Sequence, residues 1–397
     1  MNKLFPLIPD LIVLALEKKE IAAHWKGEAG FTDGSPFLGT PPEKDIGFPY
    51  SSTAWGEHSR TVDDKMLAYS WHRYSVLHSK YRKWVDQGRP QPKHKEWAHY
   101  LNWVATEVGL QVQYGRVELI NLREGKWDLT YRDKDQNEQT IMGDGLVITG
   151  PGVPNSPYEF TSPRRFLNAV TFWEKASLKQ FDDADGKSIC VIGVGETAAS
   201  IVCALLDRVR RDCAIEIVSP EGVIFSRGEN YFENTLFSDA TEWQLLSKDH
   251  RDRFIRRTDH GVFSQQALQK INTADNIRRV PGKVKQVRDA NGYIEVLIQY
   301  GVGPPDKESY DFVIDAANIN LLSFVDLLAP PVRKELEDKV GTIERRTLEA
   351  SIDKYLGVSG LQPRLHLPML AGLEQGPGFP NLSCLGLLSD AILKPYF

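Results

Sequence analysis

One stretch constrains this chain more than any other: Lys187-Ser-Ile-Cys-Val-Ile-Gly-Val-Gly-Glu-Thr-Ala-Ala-Ser200. An apolar run, a glycine turn and a helix start follow one another directly, which is the local form of a dinucleotide-binding site. Gly193 lets the chain leave the strand in a tight turn, and Gly195 lets backbone approach a pyrophosphate. Ala198 stands where a third glycine often sits and still admits close helix–strand packing. The amides of the helix start, from Glu196 and Thr197 onward, face the phosphates. Ile201, Val202, Leu205, Leu206 and Val209 give an apolar helical face over Glu196–Arg211, and Ala214-Ile-Glu-Ile-Val-Ser219 supplies a second strand at the right distance. The alternative is a plain strand–turn–helix without a ligand.

The end of that second strand bears on the choice of dinucleotide. An acid there would serve the ribose hydroxyls of NADH. Here the strand ends in Ser219-Pro220, with Arg227 following. A neutral hydroxyl and an arginine suit a 2′-phosphate, which favours NADPH; Glu221 keeps NADH open.

The motif lies mid-chain, so a first nucleotide site is expected upstream. Leu14-Ala-Leu-Glu17 reads as the second strand of such a fold, its acid placed for an adenosine ribose, with Trp25 eight residues on. A strand of this kind follows a glycine-rich turn roughly 20–30 residues earlier. Only 16 residues precede Glu17, and Met1–Asp10 contains no glycine. The expectation is a first fold truncated at its N-terminus, without its phosphate-cradling loop.

The rest of the chain reads as follows. Residues 26–60 are rich in Gly, Pro, Ser and Thr and form a long ordered loop. A helical stretch spans about 62–86, and a second begins near Lys95 with Trp97, Tyr100, Leu101 and Val104 on one face. Their aromatic residues are core. Strands are expected at Leu110–Tyr114, Val117–Leu122, Trp127–Tyr131 and Gln139–Ile148, the last ending in Val147-Ile-Thr149-Gly150. A proline-rich linker runs from Pro151 to Pro163, and later strands are Tyr293–Tyr300 and Tyr310–Asp315.

Composition excludes several classes. With 397 residues, 41% hydrophobic and 25% charged, the chain is an ordinary globular protein of two or three domains. A net charge of −5 gives no general attraction to nucleic acid or anionic lipid. No apolar run approaches the ~18–20 residues of a membrane span. Leu11–Leu16 is followed by Glu17, Lys18, Lys19 and Glu20 and lacks a cleavage site, so it is not a secretory signal. Cys190, Cys203, Cys213 and Cys384 form no Cys-x-x-Cys pair and fit a reducing cytoplasm. The histidines are scattered, and no metal site is expected.

The order of these parts resembles the flavin-dependent N-hydroxylating monooxygenases, which act on ornithine or lysine in siderophore synthesis, and more broadly the class B flavoprotein monooxygenases. Glu17 with Trp25 is similar to the ribose acid and tryptophan of the family's FAD domain. Pro92–Val104 resembles the segment before its flavin-domain strands. Val147-Ile-Thr149-Gly150 looks like its first Ala-Thr-Gly-type strand end, and Gly193–Ala198 like its NADPH motif. Asn230-Tyr-Phe-Glu-Asn-Thr-Leu-Phe237 is similar to its Phe-x-Asn-Glu-x-Phe segment, with Asn234 matching the substrate-contacting asparagine. Leu387-Leu-Ser-Asp-Ala391 resembles its flavin-facing helix and brings in Ser389, whose plain alternative is a helix N-cap.

The resemblance implies an α/β fold of two Rossmann-like units. An NADPH domain at 166–315 is inserted in an FAD domain formed by 1–165 and 316–397. It implies FAD and NADPH as cofactors and a primary amine and O2 as small-molecule partners, with no nucleic acid and no membrane. In that chemistry NADPH reduces FAD, and a flavin hydroperoxide transfers oxygen to a neutral amine nitrogen. The family often forms tetramers, so a homo-oligomer is also implied.

There are departures. The second Ala-Thr-Gly-Tyr strand end is replaced by Asp315-Ala-Ala-Asn318, and Asn168 stands where the class B signature has histidine. Thr258-Asp259-His260 resembles a Thr-Asn-Tyr segment with an acid for the asparagine, which makes Asp259 a candidate for proton handling. The family's substrate lysine, in Phe-Leu-Lys-Asp, has no match in Phe48–Trp55; His58 and Arg60 are candidates for a substrate carboxylate. Two other functions remain open: a catalytically impaired remnant that binds NADPH but not FAD, and a flavin-dependent reductase or dehydrogenase.

Overall fold

The computed structural model describes residues 11–27, 30–53, 55–150, 152–158, 162–182, 184–258 and 261–397. Its centre is a five-stranded parallel sheet in the order Ile277–Pro281, Ala214–Ser219, Ser188–Ile192, Phe312–Asp315, Phe166–Asn168. Ser188–Ile192 lies in the middle and its last four residues are buried. A parallel strand covered on both faces needs such a near-continuous apolar run, which Ile-Cys-Val-Ile supplies. Winding reverses at this strand: its chain successor lies on one side and Phe312–Asp315 on the other. Ligands of open α/β sheets bind at that switch point, outside the carboxyl ends of the strands.

The helix after the turn runs Glu196–Arg208, one turn short of the expected Arg211. Ala198, Ala199, Ile201, Val202, Ala204 and Leu205 are buried against the sheet and against Phe263 and Ile271. An antiparallel three-stranded sheet of Lys283–Asp289, Ile294–Gln299 and Pro305–Tyr310 packs Val284, Val287, Val296 and Ile298 beside it. Tyr310–Asp315, read as one strand, divides at Asp311 between these two sheets. Asp311 accepts the backbone N–H of Ser188 at 3.0 Å and pins the junction.

A second body gathers both ends of the chain. Leu14–Glu17 pairs in parallel with the start of a long strand, Gln111–Arg123, which turns antiparallel through Lys126–Asp133 and Glu138–Gly143. The expected pair Leu110–Tyr114 and Val117–Leu122 is thus one strand, with an irregularity between Val117 and Leu119. Gln139–Ile148 divides instead, because Gly145–Val147 leaves to pair in parallel with Arg364–His366. That pairing ties the C-terminal part to this body, through a core of Ile120, Trp127, Leu336, Leu348 and Leu365.

The helical stretch expected at 62–86 is three helices, Ser59–Leu67, Trp71–Leu77 and Tyr81–Asp86. The first break falls where the Ser70 side chain caps the next helix by accepting the Arg73 N–H at 3.1 Å. These helices and His94–Glu107 enclose an aromatic core of Trp71, Tyr74, Trp97 and Tyr100. Trp97 is fully buried, with ring centroids 4.8 Å from Tyr100 and 5.8 Å from Trp71. Trp97→Ala should lower the stability of this region by about 3–5 kcal/mol, read as a shift of the first urea transition.

Two crossings join the bodies. Val153–Pro154, in the proline-rich linker, pairs antiparallel with Ile319–Asn320 on the return. Gly152 takes φ +81°, and a Cβ there would lie 2.4 Å from the Asn320 carbonyl oxygen, so only glycine allows the two crossings to touch.

Candidate active site

The glycine turn stands at the switch point. Gly193 has φ +120°, and a Cβ on it would meet the Ala317 Cβ at 3.1 Å and the Ala316 carbonyl carbon at 3.3 Å. Asp315-Ala-Ala-Asn318 therefore closes one wall of the crevice. Asp315 holds that wall by accepting the Ala317 N–H at 3.1 Å and the Asn318 side-chain amide at 3.0 Å. Gly195 differs: its backbone is extended, φ −88° and ψ 176°, and nothing lies within 4 Å of the Cβ position. Its open side is the cradle that a side chain would fill. No side-chain cap bond closes the helix start, so its first-turn amides at Glu196 and Thr197 stay available to an anion. Ala198 is fully buried and takes the helix close to the sheet.

Ser219 is 3% exposed, and its carbonyl accepts the Gly282 N–H at 2.9 Å. Arg227 makes its contacts elsewhere. Its guanidinium donates to the Ser383 hydroxyl at 3.2 Å and lies over the Phe237 ring, 5.3 Å from the centroid. Among the described residues no hydrogen bond joins Ser219 to Arg227, whose guanidinium reaches the C-terminal segment at Ser383.

A second polar cluster is built by distant pieces of chain. Lys44 Nζ donates to the Asn234 Oδ1 at 2.9 Å, and the Asn234 Nδ2 donates to the Glu229 carbonyl at 2.7 Å. Asn234 sits on the helix Tyr231–Ser238, whose start is closed by a capping box between Asn230 and Glu233. Lys44 is held from behind by Asp45, which accepts the Tyr50 hydroxyl at 2.6 Å, the Gly47 N–H at 3.2 Å and the Trp71 N–H at 2.8 Å. Burial and the neighbouring Arg227 cation push Lys44 down to about 8 against the opposing pull of Cys384 and Glu229. Glu196 keeps exposed surface, yet protein crowds its carboxylate enough for burial to raise its pKa. It accepts the Ser264 N–H at 3.0 Å and lies against Gly39, so the dinucleotide helix and the 26–60 loop meet there.

Sequence reasoning finds no counterpart of the family's lysine in Phe48–Trp55 and misses Lys44. The available signal is the dipeptide Lys44-Asp45, which repeats the Lys-Asp half of Phe-Leu-Lys-Asp. His58 and Arg60 lie on the surface at the start of the Ser59–Leu67 helix, and nothing in their surroundings points to a ligand.

On the flavin side of the resemblance, Glu17 ends its strand and accepts the Lys19 N–H at 2.8 Å. Trp25 packs edge-on to His94, with centroids 4.8 Å apart. Thr149 and Gly150 are exposed after the Gly145–Val147 strand; Gly150 has φ +108° with open space beside it. Ser389 is not an N-cap. It lies inside the helix Leu385–Leu393 and donates to the Leu385 carbonyl at 3.0 Å. The same helix is bolted to the loop before Ser59: Asp390 accepts from the Trp55 indole at 2.7 Å and from the Ser52 hydroxyl, and Phe397 stacks on Trp55 at 4.4 Å. Asp259 and His260 lie outside the described residues, as does Met1–Asp10, the stretch on which the expectation of a truncated first fold rests. Among the described residues no cluster of His, Cys, Asp and Glu could hold a metal ion, and no helix is long and apolar enough to cross a membrane.

Comparison with known proteins agrees with this geometry. The family described as L-lysine 6-monooxygenase/L-ornithine 5-monooxygenase matches residues 60–287. The L-lysine N6-monooxygenase MbtG of Mycobacterium tuberculosis is 38% identical over 392 residues, covering 97% of this chain and 88% of that protein. The solved lysine monooxygenase NbtG from Nocardia farcinica superposes with a TM-score of 0.83 at 36% identity, over 96% of this chain and 91% of that one. An ornithine N-hydroxylase from Kutzneria sp. 744 has the same fold, with a TM-score of 0.76 at 16% identity, over 99% and 94% of the two chains.

Proposed function

Because the chain belongs to the L-lysine 6-monooxygenase/L-ornithine 5-monooxygenase family, we propose that it is an FAD- and NADPH-dependent monooxygenase that hydroxylates the side-chain nitrogen of L-lysine for siderophore assembly in the cytoplasm. Residues 166–315 are its NADPH unit, and 1–165 with 316–397 its FAD unit. The observation that carries the reading is the Lys44–Asn234 pair, 2.9 Å apart, which joins the loop at 26–60 to the helix Tyr231–Ser238.

The described residues fit NADPH and offer contacts for the adenosine end and the inner part of FAD. The open face of Gly195 and the uncapped amides of Glu196–Ala198 would take the NADPH pyrophosphate, with Ser219 toward the ribose. Glu17 and Trp25 would hold the adenosine end of FAD, and Thr149-Gly150 and Ser389 its inner part. Bound, the nicotinamide and flavin supply hydride transfer and oxygen activation. The protein's own part is placement. Below pH about 8 Lys44 is charged and meets the substrate carboxylate, while Asn234, held at both ends, fixes the direction in which the aliphatic chain runs. Arg227, anchored on Ser383, adds positive potential for the same carboxylate. Asp259 remains the candidate for handling the amine proton.

The test is product formation. Purified protein should show the oxidised flavin band near ~450 nm and convert L-lysine, NADPH and O2 to the N6-hydroxylamine. A yellow protein that oxidises NADPH yet hydroxylates none of lysine, ornithine and cadaverine would establish the reductase reading instead.

A further inference from the structure

We propose that Glu229 is the receptor for the substrate's α-ammonium group, so that the site selects zwitterionic α-amino acids over amines lacking that charge; this rests on the N-hydroxylase reading. Glu229 immediately precedes the N-cap Asn230, and its own carbonyl takes one end of the Asn234 amide, whose other end takes Lys44. Lys44 and the Glu229 main chain therefore bracket a single amide group, which sets the residue bearing the carboxylate beside Lys44. The carboxylate and ammonium of an α-amino acid share one carbon, so their receptors must stand this close together.

The charges around Glu229 support the assignment. Burial raises the pKa of its carboxylate, and the charges of Arg227, Glu196 and Lys44 all act on it. None of these four side chains forms an ion pair with an opposite charge among the described residues. Two cations and two anions thus act on one another without an ion-pair contact among the described residues, and each has capacity left for a ligand's charge. Glu229 keeps exposed surface, while burial of its carboxylate raises its pKa. The turn that carries it is rigid. Gly228 N–H bonds the Thr258 carbonyl at 3.3 Å, a Cβ at Gly228 would lie 2.8 Å from Glu233, and the capping box fixes the next residue.

The experiment compares L-lysine with 6-aminohexanoate, which is lysine without its α-amine, and with cadaverine, which lacks the carboxylate. Glu229→Gln removes the charge while leaving the backbone carbonyl that holds Asn234, and Glu229→Asp keeps the charge on a shorter arm. Wild type should prefer L-lysine to 6-aminohexanoate in kcat/KM. Glu229→Gln should reduce that preference about tenfold or more, the scale of one charge-assisted hydrogen bond, mainly through the KM of lysine. Glu229→Asp should recover part of it. The flavin band and the NADPH KM report that each variant is folded. An unchanged lysine to 6-aminohexanoate ratio in Glu229→Gln overturns the α-ammonium site while leaving the hydroxylase reading intact. A wild type that prefers cadaverine to lysine also overturns the site alone, and a wild type that hydroxylates no amine overturns both.

Discussion

Lys44→Ala is expected to lower kcat/KM for L-lysine about a hundredfold or more, largely through KM, while the flavin band and NADPH binding persist. Truncating one member of a buried, hydrogen-bonded charge pair costs on the order of 2–5 kcal/mol, because the partner groups stay desolvated. Here the groups left behind are the Asn234 Oδ1 and the substrate carboxylate. The pH profile gives a second readout. Lys44 falls from the ordinary 10.5 to about 8 through burial and Arg227. In wild type, kcat/KM should therefore decline as pH rises through about 8 and the free enzyme loses this charge, a limb that Lys44→Ala lacks. The effect on stability has the opposite direction. The unfolded chain holds the proton up to about 10.5 and the folded one only to about 8, so the unfolded state binds more protons across that window. The Lys44 contribution then makes wild type more stable as pH rises from 8 to 10.5, and Lys44→Met should flatten that slope in urea titrations. A Lys44→Ala enzyme with unchanged lysine KM would remove Lys44 from the site.

The second large effect is at the dinucleotide turn. Gly195→Val should raise the KM for NADPH on the order of a hundredfold, since a side chain would occupy the open face that the pyrophosphate approaches. Folding should survive, because φ −88° and ψ 176° suit valine and no protein atom lies within 4 Å of its Cβ. Gly193→Val makes the contrast. Its φ of +120° and the 3.1 Å approach to Ala317 strain the backbone, so that variant should lose stability as well as NADPH affinity. An unaltered NADPH KM in Gly195→Val, measured by stopped-flow flavin reduction, would place the pyrophosphate elsewhere.

Local chemistry explains which features are legible before folding. The strand–turn–helix at 188–208 is written in consecutive residues: an apolar run, two glycines and a helical apolar face. Its partner strand Ala214–Ser219 has the bounds its alternation indicates. Where the competing signals are tertiary, local reading goes astray. The 62–86 stretch has helical spacing throughout, yet Ser70 supplies a cap that starts a new helix and turns Trp71 into the aromatic core. Gly145–Val147 continues the preceding strand in sequence, but pairs with a segment more than two hundred residues away.

By itself, then, the sequence determined the family and marked the dinucleotide turn and Asn234 as candidates, because each is carried by residues adjacent in the chain. It could not bring together Lys44, Asn234, Glu229 and Arg227. Those relations depend on the 26–60 loop meeting the helix at 231 across two bodies joined by paired crossings. A hydrogen bond between residues 190 positions apart leaves no periodicity to read. Only folding decides which of the many loop cations is drawn out of water, bonded to Asn234 and pushed toward a pKa at which its charge can serve a ligand.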